Sequence, residues 1–471
     1  MKTKLFFAAI AASLFLSLNI CIADVKKFDQ KPWLADFTQL ELIISETYPN
    51  LDTQVGLQGL SPRRMDGETR GRLRNAKSED EAVQILKDFV ERFRDGHFHL
   101  EDKNHQHAIP SESIRSIAKT TEAIKACEQM MGSWSSRKKL EFDFPTSKPD
   151  GFNAVRVQGA AFPWTTLNME NRKLALIRIV SFGQGDYPEL CVEEWKKYVE
   201  LLPASCDKKC QEIFVDHRLP NRLLHELDET LEQILSENVS AIVLDLTNNG
   251  GGTGWVSAAM RMLTNRPILC GGFGFIRHPH WIRKFEVEIA ELSLKLKSAK
   301  DASEREALEA KKRRASDDFK EARQSCDRSK IWTQEKYSPS CSLVVKRTSR
   351  DCSPGEELQF RPGRYHGPVV VLVNRKTASA SEDLVGRYKD SGIAMIIGAR
   401  TRGAGCGFTD GGIDLKLKNS GIRVVIPDCS RFLRDGANEV AGIPPDIELP
   451  MNMQSPEFIT QLKAALSRAL K

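Results

Sequence analysis

The sequence lacks a strong excess of either charge, with 69 Lys and Arg residues against 63 Asp and Glu residues and a formal net charge of +6. So small an excess gives no basis for nucleic-acid binding, which needs a concentrated basic surface. Apart from residues 5–23 there is no long apolar run, which excludes a polytopic membrane protein. Hydrophobic residues at 41% and charged residues at 28% exclude a disordered or collagen-like chain. The length allows about three structural units.

The single long apolar run has the pattern of a secretory signal peptide. Lys2 and Lys4 form a basic start, residues 5–23 are almost wholly apolar, and Asp24 begins a charged sequence. We therefore expect an exported protein, periplasmic or secreted, whose mature chain begins near Asp24. Removal of the signal at residues 1–23 would leave no integral membrane span. An uncleaved membrane anchor is the alternative.

The cysteines support an oxidising compartment. The chain has eleven, and ten remain after Cys21 is removed with the signal. An even number of cysteines in an exported chain predicts disulfide bonds, although spacing does not determine their pairing. Three residues separate Cys206 from Cys210, which is not the two-residue spacing of redox and zinc pairs. We expect a local disulfide there.

Composition and periodicity divide the mature chain into six segments. Residues 79–93 carry apolar side chains at helical spacing, and residues 283–328 are dense in Lys, Arg, Glu and Ala. The expected organisation is a helical N-terminal region at 24–100, a mixed connecting region at 101–170, a first core half at 171–282, a charged helical insertion at 283–360, a second core half at 361–452 and a C-terminal helix at 453–471.

Two strand–loop–helix units predict an α/β fold. Residues 241–246 form a short apolar run that leads into a glycine cluster and then a helical stretch. Residues 368–373 form a second apolar run, followed by a helix from 378 and another strand at 394–397. Loops at strand ends are free to carry chemistry. Taken alone, the glycines could form a tight turn and the serines after residue 376 could simply cap a helix.

Four short segments, in order, carry a resemblance to a known family. They are Asp-Leu-Thr-Asn-Asn-Gly-Gly-Gly at 245–252, Thr-Ala-Ser-Ala-Ser-Glu at 377–382, Gly-Ala-Arg-Thr-Arg-Gly at 398–403 and Gly-Ile-Pro-Pro-Asp at 442–446. Together they resemble the C-terminal-processing (tail-specific) serine proteases. The resemblance implies a crotonase-like ββα protease core within the α/β fold, a polypeptide substrate and no cofactor.

The same resemblance implies roles for individual residues. Ser379, the first serine of the Ser-Ala-Ser-Glu group, corresponds to the family nucleophile. Its oxyanion hole would pair the N–H of Ala380 with the N–H of Gly250 or Gly251. Glycine lets the backbone approach an acyl carbon closely, and such N–H groups stabilise a developing negative oxygen.

A departure from the pattern decides which base the resemblance implies. Ala404 stands where the Ser/Lys branch of the family has its lysine, so a Ser/Lys dyad is excluded at these positions. The tricorn-like Ser/His branch has an Asp-Gly-His motif and a glutamate before the final glycine. Here His97 and Glu439 occupy those two positions, which implies that His97 is the base. In the tricorn arrangement itself, the glutamate reaches the histidine through a serine that precedes the histidine, and Gly96 stands at that position here.

Other functions stay open at this point. His97, His99, His105 and His107 could bind zinc, but no carboxylate or cysteine spacing supports a catalytic metal, and we expect none. A plain surface cluster is the third possibility for these histidines. The main alternative to an enzyme is a non-catalytic ligand- or protein-binding member of the same fold, and an esterase or amidase would use the same residues. The sequence gives no oligomeric state.

Overall fold

The computed structural model describes residues 28–101, 116–132, 140–155, 161–169, 171–202, 204–252, 254–334, 344–347, 358–409, 412–413 and 415–471. The expected signal peptide therefore lies outside the described residues, as do His105, His107, Cys341 and Cys352. Within the described ranges, no helix combines the length and the apolar character that a membrane crossing requires.

Helices and strands alternate along most of the described chain. The α-helices are α1 (Lys31–Thr47), α2 (Leu51–Gln58), α3 (Pro62–Asn75), α4 (Glu79–Glu91), α5 (Ala123–Met131), α6 (Pro188–Glu200), α7 (Lys208–Ile213), α8 (Leu219–Ser236), α9 (Val256–Met262), α10 (Pro279–Ser298), α11 (Ala302–Ala322), α12 (Ala380–Asp390) and α13 (Phe458–Ala469). Short 3₁₀ turns cover Lys148–Asp150, Gln184–Asp186, Ser329–Trp332 and Glu439–Ala441, and a π turn covers Phe214–Arg218.

The strands follow the same numbering in chain order. They are β1 (His99–Glu101), β2 (Ile117–Ala118), β3 (Trp164–Met169), β4 (Arg172–Arg178), β5 (Ser205–Cys206), β6 (Ala241–Asp245), β7 (Gly272–Phe275), β8 (Val344–Arg347), β9 (Val369–Val373), β10 (Ala394–Gly398), β11 (Leu415–Lys416), β12 (Arg423–Val425), β13 (Cys429–Phe432) and β14 (Ile447–Glu448). Three smaller sheets, β1-β12-β11, β13-β7-β8 and β2-β5, surround a central sheet.

The central sheet has six strands in the order β14-β10-β9-β6-β4-β3. All neighbours run parallel except β3 and β4, which form an antiparallel pair. Every residue of β6 and β9 is buried, because helices cover both faces of a parallel sheet. The predicted α/β class is confirmed.

Side chains of β6 and β9 alternate between two cores. Leu244 and Val371 face a core built with helices α8, α9 and α12. Val243 and Leu372 face a second core that α13 completes. Each such aliphatic side chain contributes about 1.5–3 kcal/mol when it is fully buried. The carboxyl ends of the two strands are thereby held side by side.

The N-terminal helices α1–α4 form a separate core together with residues from the second half of the sequence. Ser78 caps α4, because its hydroxyl accepts a hydrogen bond from the N–H of Glu81 at 3.2 Å. Strand β1 pairs with β12, with His99 opposite Val425. This pairing brings the segment just before β1 against the polypeptide near residue 404, more than 300 residues further along the chain.

The charged segment after residue 278 forms two helices, α10 and α11, that pack on each other. Trp281 and Phe285 are buried at the start of α10 against Phe275 of β7. The Trp281 indole N–H donates to the carbonyl of Asp428 at 2.9 Å. The helix pair is therefore attached at its base to the polypeptide that enters β13.

Disulfides are present, as the even cysteine count predicts. The local bond predicted between Cys206 and Cys210 is confirmed. Bonded pairs in the described residues are Cys127–Cys191, Cys206–Cys210 and Cys406–Cys429, and Cys270 and Cys326 are disulfide-bonded as well.

Candidate active site

The site forms where the loops after β6 and β9 meet. The N–H of Ala378 donates to the carbonyl of Asn249 at 2.9 Å, and the Thr377 hydroxyl donates to the carbonyl of Leu246 at 2.9 Å. The carboxyl ends of parallel strands share one edge of the sheet, so two loops from separate parts of the sequence are fixed together there.

Ser379 begins α12 in an uncommon conformation. Its φ of +56° and ψ of −118° are rare for a residue with a side chain, and such strain is concentrated at functional sites. Gly251 lies directly against it. A Cβ at Gly251 would come within 2.7 Å of the Ala378 carbonyl oxygen, the Ala380 nitrogen and the Ser379 Cβ. Only glycine therefore fits at residue 251.

The three backbone N–H groups that the sequence singles out differ in their hydrogen bonding. The N–H of Gly251 donates to the Asn249 side-chain oxygen at 2.9 Å. Within the described part of the chain, the N–H groups of Gly250 and Ala380 have no such acceptor. Ala380 is the first residue of α12, where the helix offers no acceptor and its dipole favours negative charge.

Glu382 fastens the serine turn to the loop after β10. Its buried carboxylate accepts the N–H groups of Ser379 and Ala404 at one oxygen, both at 2.9 Å. The other oxygen accepts the Gly403 N–H at 2.7 Å and the Thr401 hydroxyl at 2.6 Å. Glu382 belongs to the Ser-Ala-Ser-Glu group, but sequence reasoning gave it no role.

His97 is held on the other side of that loop. Its Nδ1 lies 2.7 Å from the carbonyl oxygen of Ala404, and its backbone N–H donates to Asp95 at 3.0 Å. A carbonyl oxygen can accept a hydrogen bond but cannot donate one. The ring nitrogen that faces it, Nδ1, therefore carries the proton, and Nε2 offers a lone pair. Burial lowers the pKa of His97 below its ordinary 6.5, which favours the neutral ring at neutral pH.

Asp95 and Asn50 connect the histidine turn to the rest of the site. The buried Asp95 carboxylate accepts the Tyr48 hydroxyl at 2.8 Å and the Asn50 amide at 3.1 Å, and burial raises its pKa. The Asn50 side-chain oxygen in turn accepts hydrogen bonds from Ser430 and Asn438. The position of His97 is thus linked to the strand that carries Arg431.

Glu439 pairs with Arg431. The Arg431 Nε donates to the Glu439 carboxylate at 2.6 Å, while its Nη2 donates to the carbonyls of Ser379 at 2.8 Å and Gly405 at 2.7 Å. Burial raises the pKa of Glu439 to about 7, against the opposing effect of Arg431. Among the described residues no hydrogen bond joins Glu439 to His97. The structure therefore brings both residues to the site without pairing them.

Arg431 is the site residue that sequence reasoning missed. It lies in no recognisable motif, and the pairing of β13 with β7 places it. Its side chain is 17% exposed. No group of three or more His, Cys, Asp or Glu residues in the described ranges has the arrangement of a metal site. His99, 51% exposed, contacts Glu101 instead.

Comparison with known proteins gives matches over parts of the sequence. The profile of Peptidase family S41 matches residues 287–449. A C-terminal processing peptidase, chloroplastic, from Tetradesmus obliquus is 43% identical over 82 residues, 17% of each chain. A carboxyl-terminal-processing protease from Picosynechococcus sp. (strain ATCC 27264 / PCC 7002 / PR-6) is 36% identical over 104 residues, 21% of this chain and 24% of that protein. The matches thus span no more than a quarter of either relative.

Solved structures extend the likeness to nearly the whole chain. Mature CPAF is 16% identical with a TM-score of 0.54, covering 94% of this chain and 98% of that one. Mature CPAF complexed with lactacystin is 15% identical with a TM-score of 0.56, covering 93% and 97%. At this identity the likeness concerns the fold. Together with the sequence matches to Peptidase family S41 and to carboxyl-terminal-processing proteases, it supports a tail-specific protease family for this chain.

Proposed function

We propose that this protein is a serine endopeptidase that cleaves unfolded chains or protein C-termini through an acyl-enzyme on Ser379. The observation that carries the proposal is the Glu382 carboxylate, one oxygen of which binds both the Ser379 N–H and the Ala404 N–H. Because the Ala404 carbonyl holds His97, a serine and a histidine from distant parts of the sequence are fixed to one rigid unit.

In the proposed reaction, Nε2 of His97 takes the hydroxyl proton of Ser379 as its oxygen attacks the scissile carbonyl carbon. The tetrahedral intermediate then collapses, and His97 gives the proton to the departing amine. A water molecule then attacks the acyl-enzyme with the same proton transfers, and the second product is released. The carbonyl of Ala404 keeps the imidazole in the required tautomer, the part that a carboxylate plays in many serine proteases.

The negative oxygen of the intermediate would be held by the N–H groups of Ala380 and Gly250. We choose Gly250 over Gly251 because the Gly251 N–H already donates to Asn249. Loss of one such donor typically lowers kcat by about 10²–10³-fold. Glu439 would act through Arg431, which holds the carbonyls of Ser379 and Gly405 in place.

Export to the periplasm or the medium is part of the proposal. The basic start and apolar run of residues 1–23 support it, and so do the disulfides, which persist in oxidising compartments. An unfolded polypeptide substrate is proposed from the resemblance to tail-specific proteases.

The test compares the mature protein with its Ser379→Ala and Ser381→Ala variants on a reduced, alkylated protein, with new peptide ends identified by mass spectrometry. Ser381 is a matched control because its hydroxyl is buried and has no hydrogen-bond partner in the described structure. We expect cleavage by the unaltered protein and by Ser381→Ala, and none by Ser379→Ala. If correctly oxidised protein does not cleave at all, the non-catalytic binding function is favoured instead.

A further inference from the structure

Phe408 is a large apolar residue exposed beside the proposed base. Its side chain is 38% exposed. Its ring meets the imidazole of His97 edge to face, with ring centres 5.3 Å apart and planes at 79°. Part of the aromatic ring therefore packs on His97, and part of its surface remains exposed beside that contact.

The backbone on both sides of Phe408 is held by covalent and polar contacts. On one side, Cys406 is disulfide-bonded to Cys429, and Gly407 forms a β-bridge with the same Cys429. On the other side, Thr409 donates its N–H at 3.0 Å and its hydroxyl at 2.5 Å to the fully buried carboxylate of Asp428.

The Asp428 carboxylate is itself anchored. It contacts Nε2 of His280, at the base of α10, at 2.8 Å. A loop fixed on both sides presents the exposed ring of Phe408 in one place. Contact with a fixed side chain costs little conformational entropy, which suits a recognition surface.

The chemistry of the proposed function indicates which part of a substrate Phe408 meets. His97 must protonate the amine that leaves, so the residue after the scissile bond departs past the imidazole ring. A side chain that packs on that ring borders the leaving-group side. We propose that Phe408 is a specificity-determining residue that forms an apolar wall there and favours a large apolar residue immediately after the scissile bond. This inference rests on the proposed function.

The test uses pairs of peptides that share the acyl part of a cleaved sequence and differ only in the next residue, Leu or Asp. Cleavage sites in a reduced, alkylated protein supply the sequence. We expect the unaltered protein to prefer Leu, and Phe408→Ala to reduce that preference by roughly tenfold or more. Phe408→Leu should retain most of it. The matched control is Met395→Ala on β10, since Met395 is also 38% exposed and lies away from the site.

The deacylation rate distinguishes recognition of the leaving residue by Phe408 from a purely structural role of Phe408. The leaving residue has already departed from the acyl-enzyme, so the deacylation rate of a common acyl group should be the same in Phe408→Ala as in the unaltered protein. An equal loss with both peptides together with slower deacylation would mean that Phe408 only supports His97, and would overturn the inference. An unchanged Leu preference in Phe408→Ala would overturn it too. Failure of the unaltered protein to form an acyl-enzyme on Ser379 would instead overturn the proposed function on which the inference rests.

Discussion

The Nδ1 atom of His97 lies 2.7 Å from the carbonyl oxygen of Ala404. By the resemblance of the Gly-Ala-Arg-Thr-Arg-Gly segment, Ala404 corresponds to the position at which the Ser/Lys branch has its lysine. Its methyl side chain cannot accept a proton, yet its backbone orients another residue that can. The replacement of lysine therefore fits a site in which the base comes from the N-terminal region.

The loop that holds His97 also lies close to Gly96. A Cβ at Gly96 would lie 3.2 Å from the Ala404 Cβ and 3.1 Å from the Arg402 Nε. These are tight contacts, so a serine here would require its neighbours to shift. A serine at residue 96 would therefore press against the loop that holds His97.

Substitution of Glu382 should lower stability and activity together. Glu382→Ala leaves four donors without an acceptor, and for the three that are buried this costs about 1–3 kcal/mol each. We expect a loss of at least about 3 kcal/mol in the free energy of unfolding and no measurable cleavage. Glu382→Gln keeps one acceptor oxygen and should lose less stability. Urea unfolding and cleavage rates measure both effects, and a stable, active Glu382→Ala protein would rule out the fastening role.

Gly407 should be required for the base to function. A Cβ there would lie 3.0 Å from both Cε1 and Nε2 of His97, at a φ of +78°. Gly407→Ala should cost about 1 kcal/mol of stability from its φ, and should lower kcat/KM by about 10²-fold because the imidazole is displaced. Gly392→Ala is the control, since it has a φ of +59° and only one contact, at 3.8 Å. Equal activity in the two variants would contradict the expectation.

The disulfide between Cys406 and Cys429 should matter more for activity than for stability. It closes a loop of 23 residues around the site. A disulfide across a loop of about this length stabilises a protein by about 3 kcal/mol. The double variant Cys406→Ser, Cys429→Ser should lose most activity at temperatures where circular dichroism still shows folded protein. The control is the double variant of Cys127 and Cys191, a pair that lies in the core near α6. If both double variants lose activity only on unfolding, the loop is not held by its disulfide.

Glu439 should make stability depend on pH. Its pKa is raised from 4.5 to about 7 in the folded protein, so the folded state holds the proton more tightly than the unfolded chain. This contribution to stability is complete below pH 4.5, and it is lost by about 1.4 kcal/mol for each pH unit as the pH rises to 7. The unfolding free energy of Glu439→Gln should therefore fall less between pH 5 and pH 8 than that of the unaltered protein. Parallel pH curves would contradict the raised pKa.

Local patterns predicted the buried strands of the central sheet, and the resemblance to the protease family implied that the loops after them meet. The apolar runs of β6 and β9 identify buried parallel strands. The Gly-rich and Ser-Ala-Ser-Glu segments come directly after these runs in the sequence, so they lie in the loops at the strand ends. The charged helices α10 and α11 could also be predicted locally, because a composition rich in Lys, Arg, Glu and Ala continues along the whole segment.

Contacts made across long sequence separations could not be predicted in this way. Arg431 reaches Ser379 because β13 pairs with β7, and no local pattern encodes that pairing. Arg178 is a second example. It donates to Asp245 at 2.7 Å and to Thr247 at 3.0 Å, so a residue of β4 is bonded to the end of β6 and the loop after it.

The central claim is that Ser379 is the nucleophile and His97 is its base. It is tested most directly by the rate at which a fluorophosphonate labels the protein, measured as a function of pH. Mass spectrometry identifies the modified residue. We expect labelling of Ser379, with a rate that rises with pH around a midpoint below 6.5, because burial lowers the pKa of His97 and the neutral ring is the base. In His97→Gln the rate should fall by at least about 10²-fold and lose that midpoint. Labelling of a different residue, or an unchanged rate in His97→Gln, would contradict these catalytic roles.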